Sequence, residues 1–303
     1  MLRKVSIISA LFLLWCSVRT YAQAQVQEQP VAEFFCGAEL SYADVNYSRL
    51  YNVLINLTPG AKVCLGRDWE FDAQIFLPFI NDGYADRYNM IRLNMANISK
   101  VLRFERAKQY FKLTAGLFGK ERYGGDLRWM YPINSWLMLN ARFGLTDYWA
   151  LGFDWHSQSE SQFNHHDFTV TSLFGVSIWL NPWATELRAT GGRYMNKDYG
   201  MEGEVIRHFK HCSVSAYIQY HERTPNIHYK GTHRYGGGFR VVMMIPPYKK
   251  EKRDVLFRPA SNFRLTYNAQ ADGYSMHKYN TDPEENERVY PIDIPWGTGN
   301  FNE

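Results

Sequence analysis

Beyond its first 24 residues the sequence has no apolar run that reaches the roughly 18 residues needed for a transmembrane helix. Cysteine is also scarce. Apart from Cys16, the chain has Cys36, Cys64 and Cys212, and three cysteines cannot form a disulfide framework. A single Cys36–Cys64 bridge is the remaining pairing, and we do not expect it. These absences exclude a helical membrane protein and a small domain held by cross-links.

An excess of one charge is missing as well. Lys and Arg together number 34 and Asp and Glu number 30, which leaves a net charge of +4. The basic cluster KKEKR at 249–253 is short and includes an acid, which is typical of a solvated loop. We therefore expect no nucleic-acid partner.

The first 24 residues have the layout of a secretory signal peptide. Arg3 and Lys4 precede an apolar run, and Ala22 and Ala24 offer cleavage points. The run is too short to cross a bilayer, which takes about 20 residues. We predict that residues 1–24 are removed on export.

The sequence does contain repeated alternation of apolar and polar residues. In WEFDAQIFLPF, residues 69–79, every second residue is apolar, and Glu70, Asp72 and Gln74 lie between them. A period of two predicts a β-strand with one apolar and one polar face. The same pattern recurs at 51–66, 110–118, 136–145, 148–158 and 214–220. These segments are long for soluble strands and approach the roughly 9 to 11 residues of a tilted membrane strand.

The connections between these segments alternate between short and long. This is typical of outer-membrane barrels, whose short turns face the periplasm. The 9 Trp, 21 Tyr and 19 Phe residues suit aromatic girdles at two membrane interfaces. We predict an all-β fold: a transmembrane antiparallel β-barrel of about 12 strands, with a range of about 10 to 14, in the cell outer membrane.

We place the barrel in residues 25–246. Strands are expected near 34–45, 50–66, 69–80, 88–103, 109–119, 135–145, 148–158, 168–180, 184–195, 200–209, 212–222 and 234–246. Because this number is even, both ends of the barrel would face the periplasm. Residues 247–303 would form a C-terminal periplasmic tail or a plug. Alternatively, 263–272 and a neighbouring segment add further strands.

If the apolar faces contact lipid, the polar faces line a lumen. The side chains expected there are Glu70, Asp72, Arg92, Asn94, Lys112, Arg142, Glu186, Arg188, Glu204, Arg207 and Arg240. A barrel with more than eight strands leaves a cavity or holds a plug. Such charges can simply join neighbouring strands, and a conduit for a polar polymer would need the same surface.

Candidate catalytic groups are few. The run NHHD at 164–167 could bind a metal or supply a general base. However, no serine motif or spaced metal-ligand pattern accompanies it. We predict no catalytic residues, no metal and no cofactor. A lipid or lipopolysaccharide hydrolase that uses His156 or His165 remains an alternative, as does a passive porin or adhesin.

Residues 192–247 resemble the closing barrel region of the YjbH-like outer-membrane proteins, which are associated with exopolysaccharide export. The residues that carry the resemblance are Gly192-Arg193-Tyr194, Asp198-Tyr199-Gly200, Glu204, Arg207, Phe209, Thr224, Gly238 and Ile245-Pro246, and FRPASNF at 257–263 resembles the element that follows. The family motif and the expected lumen together single out Arg193, Asp198, Glu204, Arg207 and Arg240.

The resemblance implies a non-enzymatic barrel that assists secretion or surface assembly of an exopolysaccharide. It also implies periplasmic or inner-membrane export proteins as partners. Outer-membrane lipid and lipopolysaccharide would surround such a barrel in a Gram-negative cell. The resemblance supplies no catalytic residues.

Overall fold

The computed structural model describes residues 31–43, 52–84, 86–153, 159–163, 168–222, 235–246, 254–268 and 278–284. The proposed signal peptide, 1–24, lies outside these residues. Within them the fold is all-β, and the strands belong to one sheet. None of the helices in the described part of the chain has the length and apolarity to cross a membrane. Cys36, Cys64 and Cys212 are free thiols.

The described residues contain seventeen strands and three short 3-10 helices. The strands are β1 Ala32–Cys36, β2 Ala38–Ala43, β3 Asn52–Leu57, β4 Gly60–Gly66, β5 Trp69–Asp82, β6 Ile91–Phe104, β7 Gln109–Phe118, β8 Arg122–Pro132, β9 Leu137–Phe153, β10 Ser159–Phe163, β11 Thr169–Leu180, β12 Thr185–Arg193, β13 Tyr199–His208, β14 Cys212–His221, β15 Tyr235–Met244, β16 Val255–Pro259 and β17 Asn262–Asn268. The 3-10 helices are Asp86–Asn89, Glu105–Ala107 and Asn181–Trp183.

The sheet closes into a barrel of 13 strands, which confirms the prediction of an all-β barrel of about 12. Three wall strands are each interrupted briefly, so that β1 continues into β2, β3 into β4, and β16 into β17. The short β10 pairs with the end of β9 and adds no position to the ring.

The closing contact is parallel. β16 pairs with β1 and β17 with β2 in parallel register, whereas the other neighbours in the wall are antiparallel. A ring that contains one parallel contact has an odd number of strands, so the expected even number is wrong. As a consequence Ala32 and Asn268 lie at opposite rims. The wall also extends to Asn268, beyond residue 246 where the sequence analysis ended it.

Two expected connections differ from the structure. Residues 119–135 were expected to form a long loop, but β8 occupies most of them and pairs with β7 and β9. Glycines at 124 and 125 and a proline at 132 obscure its alternation. Residues 146–148 were expected to form a turn, but β9 passes through them without a break, and Thr146 and Asp147 are buried within the wall.

Five turns of two to four residues lie at one end of the barrel, which we call the short-turn rim. They are residues 67–68, 105–108, 133–136, 181–184 and 209–211. The opposite end, which we call the loop rim, carries the connections 44–51, 83–90, 119–121, 154–168, 194–198 and 222–234. Left-handed backbone at Arg67, Asp68, Lys108 and Ala184 closes three of the short turns.

Burial is the reverse of that in a soluble protein. Along β5, Phe71 and Ile75 are exposed, whereas Asp72 and Gln74 are buried. Exposed aromatic side chains lie near both rims: Phe104, Trp136, Trp183 and Phe209 at the short-turn rim, and Phe79, Phe168, Tyr199 and Tyr235 at the loop rim. The apolar face therefore points outward and the polar face points into the barrel.

Candidate functional site in the charged lumen

A stretch of chain beyond the last strand lies inside the barrel. Residues 278–284, which we call the lumen segment, contact β4, β7, β8 and β16 through their side chains. These strands occupy different positions around the ring. A segment that reaches all of them must lie in the lumen.

The lumen segment runs lengthwise through the barrel. Lys278 Nζ donates to Glu202 Oε1 at 2.8 Å, close to the end of β13 at the loop rim. Glu284 contacts Arg258 of β16, in the half of the barrel nearer the short-turn rim. The chain therefore enters from the loop rim and points toward the short-turn rim.

Tyr279 anchors the upper part of the segment. Its side chain is 1% exposed, and its hydroxyl donates to Asp126 Oδ2 at 2.7 Å. The ring stacks on Phe118 with centroids 5.5 Å apart. The guanidinium of Arg142 lies over the ring at 4.0 Å from its centroid, and Met195 completes a small apolar cluster with Tyr279 and Phe118.

Asp126 and two arginines hold the middle of the segment. Asp126 accepts from Arg142 Nε at 2.7 Å and from Arg128 Nε at 3.4 Å. Arg128 Nη2 in turn donates to Thr281 Oγ1 at 3.0 Å. Asn97 Nδ2 donates to the backbone carbonyl of Thr281 at 3.2 Å. Side chains of the wall therefore hydrogen-bond both the hydroxyl and the backbone carbonyl of Thr281.

Asp282 lies between two lysines. Lys62 Nζ is 2.9 Å from Asp282 Oδ1, and Lys112 Nζ is 3.8 Å from Oδ2. Lys62 also pairs with Glu70 of the wall at 3.5 Å. Burial acts to raise the pKa of Asp282, but the two ammonium groups outweigh it and hold this pKa well below its usual range. The carboxyl is thus a carboxylate at neutral pH.

Glu284 makes a two-point contact with Arg258. Nη1 to Oε1 is 2.9 Å and Nη2 to Oε2 is 2.7 Å, the fork arrangement that guanidinium favours with a carboxylate. The backbone N–H of Ser261 donates to Oε1 at 2.7 Å. Arg258 also donates from Nη2 to Glu33 Oε2 at 2.6 Å. Arg258 therefore joins the lumen segment to the parallel β1–β16 contact that closes the barrel.

A second group of charges belongs entirely to the wall, and we call it the wall network. Its members lie on β12, β13 and β15: Glu186, Arg188, Glu204, His208 and Arg240. Arg188 is 2.9 Å from Glu186 and 3.6 Å from Glu204, and Glu204 is 3.8 Å from Arg240. His208 Nε2 is 3.4 Å from Glu186 Oε2. Strands β12, β13 and β15 are thus joined on the lumen face, the last two across the intervening β14.

The structure separates the five residues that the sequence singled out. Glu204 and Arg240 meet in the lumen. Asp198 is buried at the loop rim, where its carboxylate is 2.8 Å from His221 Nδ1. Arg193 is half-buried at the end of β12.

Arg207 does not face the lumen as expected. Along β13 the residues at 202, 204, 206 and 208 are buried and those at 201, 205 and 207 are exposed. Arg207 is three positions from Glu204, and an odd separation puts two strand residues on opposite faces. Arg207 instead donates to Thr185 Oγ1 at 3.2 Å on the outer face.

The other expected lumen charges lie inside, whereas the groups that bind the lumen segment were largely missed. On the wall the missed residues are Lys62, Asp126, Arg128 and Arg258, and on the segment itself they are Tyr279, Asp282 and Glu284. Asp126 and Arg128 were hidden in the presumed loop. An acidic stretch in the tail, DPEENE at 282–287, was the signal that could have suggested a partner for the lumen cations.

A cavity of about 60 Å³ lies beside the segment. Its polar lining includes Glu39, Gln74, Asn94, Arg264 and Asn280, and the aromatic ring of Phe76 adds an apolar wall. Amide, carboxylate and guanidinium groups of this kind can hydrogen-bond hydroxyl-rich chains. The lumen is therefore partly filled and strongly polar.

The histidines considered as catalytic candidates, His156 and the NHHD run at 164–167, lie outside the described side chains. In the part of the chain that the structure describes, no three His, Cys, Asp or Glu side chains are grouped so that they could hold a metal ion.

Comparison of the chain with protein-family models, with curated proteins and with solved structures found no match.

Proposed function

We propose that the protein is a non-enzymatic outer-membrane barrel that assists secretion or surface assembly of an exopolysaccharide. The observation that carries the membrane part is the reversed burial, with apolar side chains outside, aromatic side chains near both rims and charges inside. Soluble proteins rarely expose such a continuous apolar surface. The short-turn rim would face the periplasm, as in other outer-membrane barrels.

The polymer part of the proposal is supported by two features. The lumen is lined by hydrogen-bonding groups along its length, which suits a hydroxyl-rich chain. The resemblance of 192–247 to YjbH-like proteins adds the exopolysaccharide, and Glu204 and Arg240 of that region form part of the wall network. Export proteins of the periplasm or inner membrane would be its partners.

A charge on the outer face tests the membrane assignment. Val205 is 49% exposed near the middle of β13. Val205→Arg should lower the free energy of unfolding in phospholipid vesicles by about 2 kcal/mol or more if this face contacts lipid. Val205→Leu serves as the control and should unfold like the parent protein. An equal stability of all three proteins in vesicles would contradict the assignment.

Deletion of the gene tests the function. Cells that lack the protein should show less polysaccharide at their surface, and expression of the full chain should restore it. The lipid profile should not change. Normal surface polysaccharide together with altered lipid A would instead favour the hydrolase alternative, and His156→Ala and His165→Ala would then identify the histidine responsible.

A further inference from the structure

We propose that the lumen segment is a removable plug whose departure opens a water-filled path through an intact wall. Tyr279, Asp282 and Glu284 are among the residues that fix the segment to the barrel. The proposal requires a barrel in a bilayer but does not depend on which polymer the protein serves.

The wall closes without the segment. β17 pairs with β15 on one side and with β2 on the other, so the ring is complete at Asn268. The backbone N–H of Gly119 donates to the carbonyl of Asn280 at 2.9 Å. The other contacts described for the segment involve a side chain on at least one side. A segment attached in this way can leave without breaking a strand ladder.

Four of the five wall cations that contact the segment also have partners in the wall. Lys62 keeps Glu70, and Arg258 keeps Glu33. Arg128 and Arg142 keep Asp126. The release of the segment therefore leaves these four cations paired, whereas Lys112 and Glu202 would exchange their ion pairs with Asp282 and Lys278 for water. The exposed polar surface would be hydrated.

The surroundings of the segment also favour release over permanent packing. The small cavity of about 60 Å³ beside it is lined largely by polar groups rather than by a close-packed apolar core. Glu284 lies in the half of the lumen near the short-turn rim.

Planar-bilayer conductance of the full chain tests the proposal. The parent protein should show rare openings. D282N/E284Q removes both carboxylates of the segment with little change in shape, and it should raise the open fraction on the order of 100-fold because the docked state loses two buried charge pairs. D86N/E222Q removes the same number of charges from exposed positions and should behave like the parent.

An engineered disulfide supplies the complementary measurement. A Cβ placed on Gly119 would be 3.4 Å from Cβ of Asn280, close to the roughly 3.5–4.5 Å of natural disulfides. In a background with Cys36, Cys64 and Cys212 replaced by serine, G119C/N280C should lock the segment in place. Combined with D282N/E284Q, the oxidised lock should silence the currents, and reduction should restore them.

The proposal fails if D282N/E284Q forms a folded, heat-modifiable barrel that stays as closed as the parent. It also fails if the oxidised lock leaves the currents unchanged. Neither result depends on surface polysaccharide. A plug that behaves as expected, together with normal surface polysaccharide after gene deletion, would overturn the proposed function and leave this inference intact.

Discussion

The two charged groups of the lumen use the same residue types in different ways. In the wall network, Arg188 and Glu204 are direct partners in the register of β12 and β13, so the sheet itself brings them together. In the contacts of the lumen segment, Lys62 and Asp282 are 220 positions apart, and strand pairing does not align them. The first group belongs to the barrel, whereas the second is an addition to it.

This difference separates stability from closure. Loss of a wall-network charge should weaken the barrel and leave the lumen closed. Loss of a charge on the lumen segment should open the lumen and leave the barrel standing. Arg258 lies outside the wall network but combines both roles, because it binds Glu284 of the segment and Glu33 of the closing strand pair.

Arg258→Ala should therefore have the largest effect. It leaves Glu33 and Glu284 without their common partner, and removal of one partner from a buried ion pair costs about 3–5 kcal/mol. We expect a loss of this size in the free energy of unfolding, measured by tryptophan fluorescence during urea titration in vesicles, together with increased conductance. Arg264→Ala is the control, because its 3.5 Å contact with Glu39 is partly exposed and exposed pairs contribute about 1 kcal/mol or less. Equal losses for the two variants would contradict the special position of Arg258.

Glu204→Gln tests the wall network by itself. The amide keeps the shape of the carboxylate but removes the charge that faces Arg188 and Arg240, so we expect the barrel to lose about 2 kcal/mol of stability in the same titration. Conductance should stay at the level of the parent protein. Glu222→Gln, which alters an exposed carboxylate at the loop rim, should change neither quantity. An open lumen in Glu204→Gln would mean that the two groups are not independent.

The sequence was sufficient to predict the barrel because alternation is local. Phe71 lies on the apolar face of β5, and the adjacent Asp72 lies on its polar face. The same reasoning missed β8, where Gly124 and Gly125 supply no side chains to alternate. It missed the odd strand number because the parallel pairing of Val255–Asn268 with Ala32–Ala43 depends on ring closure, which no local pattern records.

The candidate site was predicted only in part, for a related reason. Glu204 and Arg240 could be expected in the lumen from their own strands. The contact of Asp282 with Lys62 and Lys112 could not, since it depends on the tail turning back into the barrel. The expectation for Arg207 was wrong because it ignored that Arg207 lies an odd number of positions from Glu204. In a strand, an odd separation puts two residues on opposite faces.

Tyr279→Phe should produce a smaller effect than the charge variants, and on closure alone. The ring can still stack on Phe118, but the hydrogen bond to Asp126 is lost, while Asp126 keeps its two arginines. One such bond contributes about 1 kcal/mol, so the open fraction in bilayers should rise roughly fivefold. Tyr199→Phe, at an exposed position of the loop rim, is the matched control. A loss of barrel stability in Tyr279→Phe would show that the segment is part of the wall's own fold.

Mild acid should have the smallest effect. Burial acts to raise the pKa of Asp282 and of Glu284, but Lys62 and Lys112 for the first and Arg258 for the second lower both below their usual ranges. Because the pKa of each carboxyl is lower in the docked state than in the released state, its charge stabilises docking at every pH above the pKa of the released carboxyl. This stabilisation is lost as the pH falls from that pKa through the pKa of the docked carboxyl. Both groups stay ionised from about pH 7.5 to 5, so conductance should be constant there and should rise only below about pH 4, where released carboxyls titrate. In D282N/E284Q this rise should be absent. Opening near pH 6 would show that these two carboxyls do not control the lumen, and it would remove the distinction between the two charged groups.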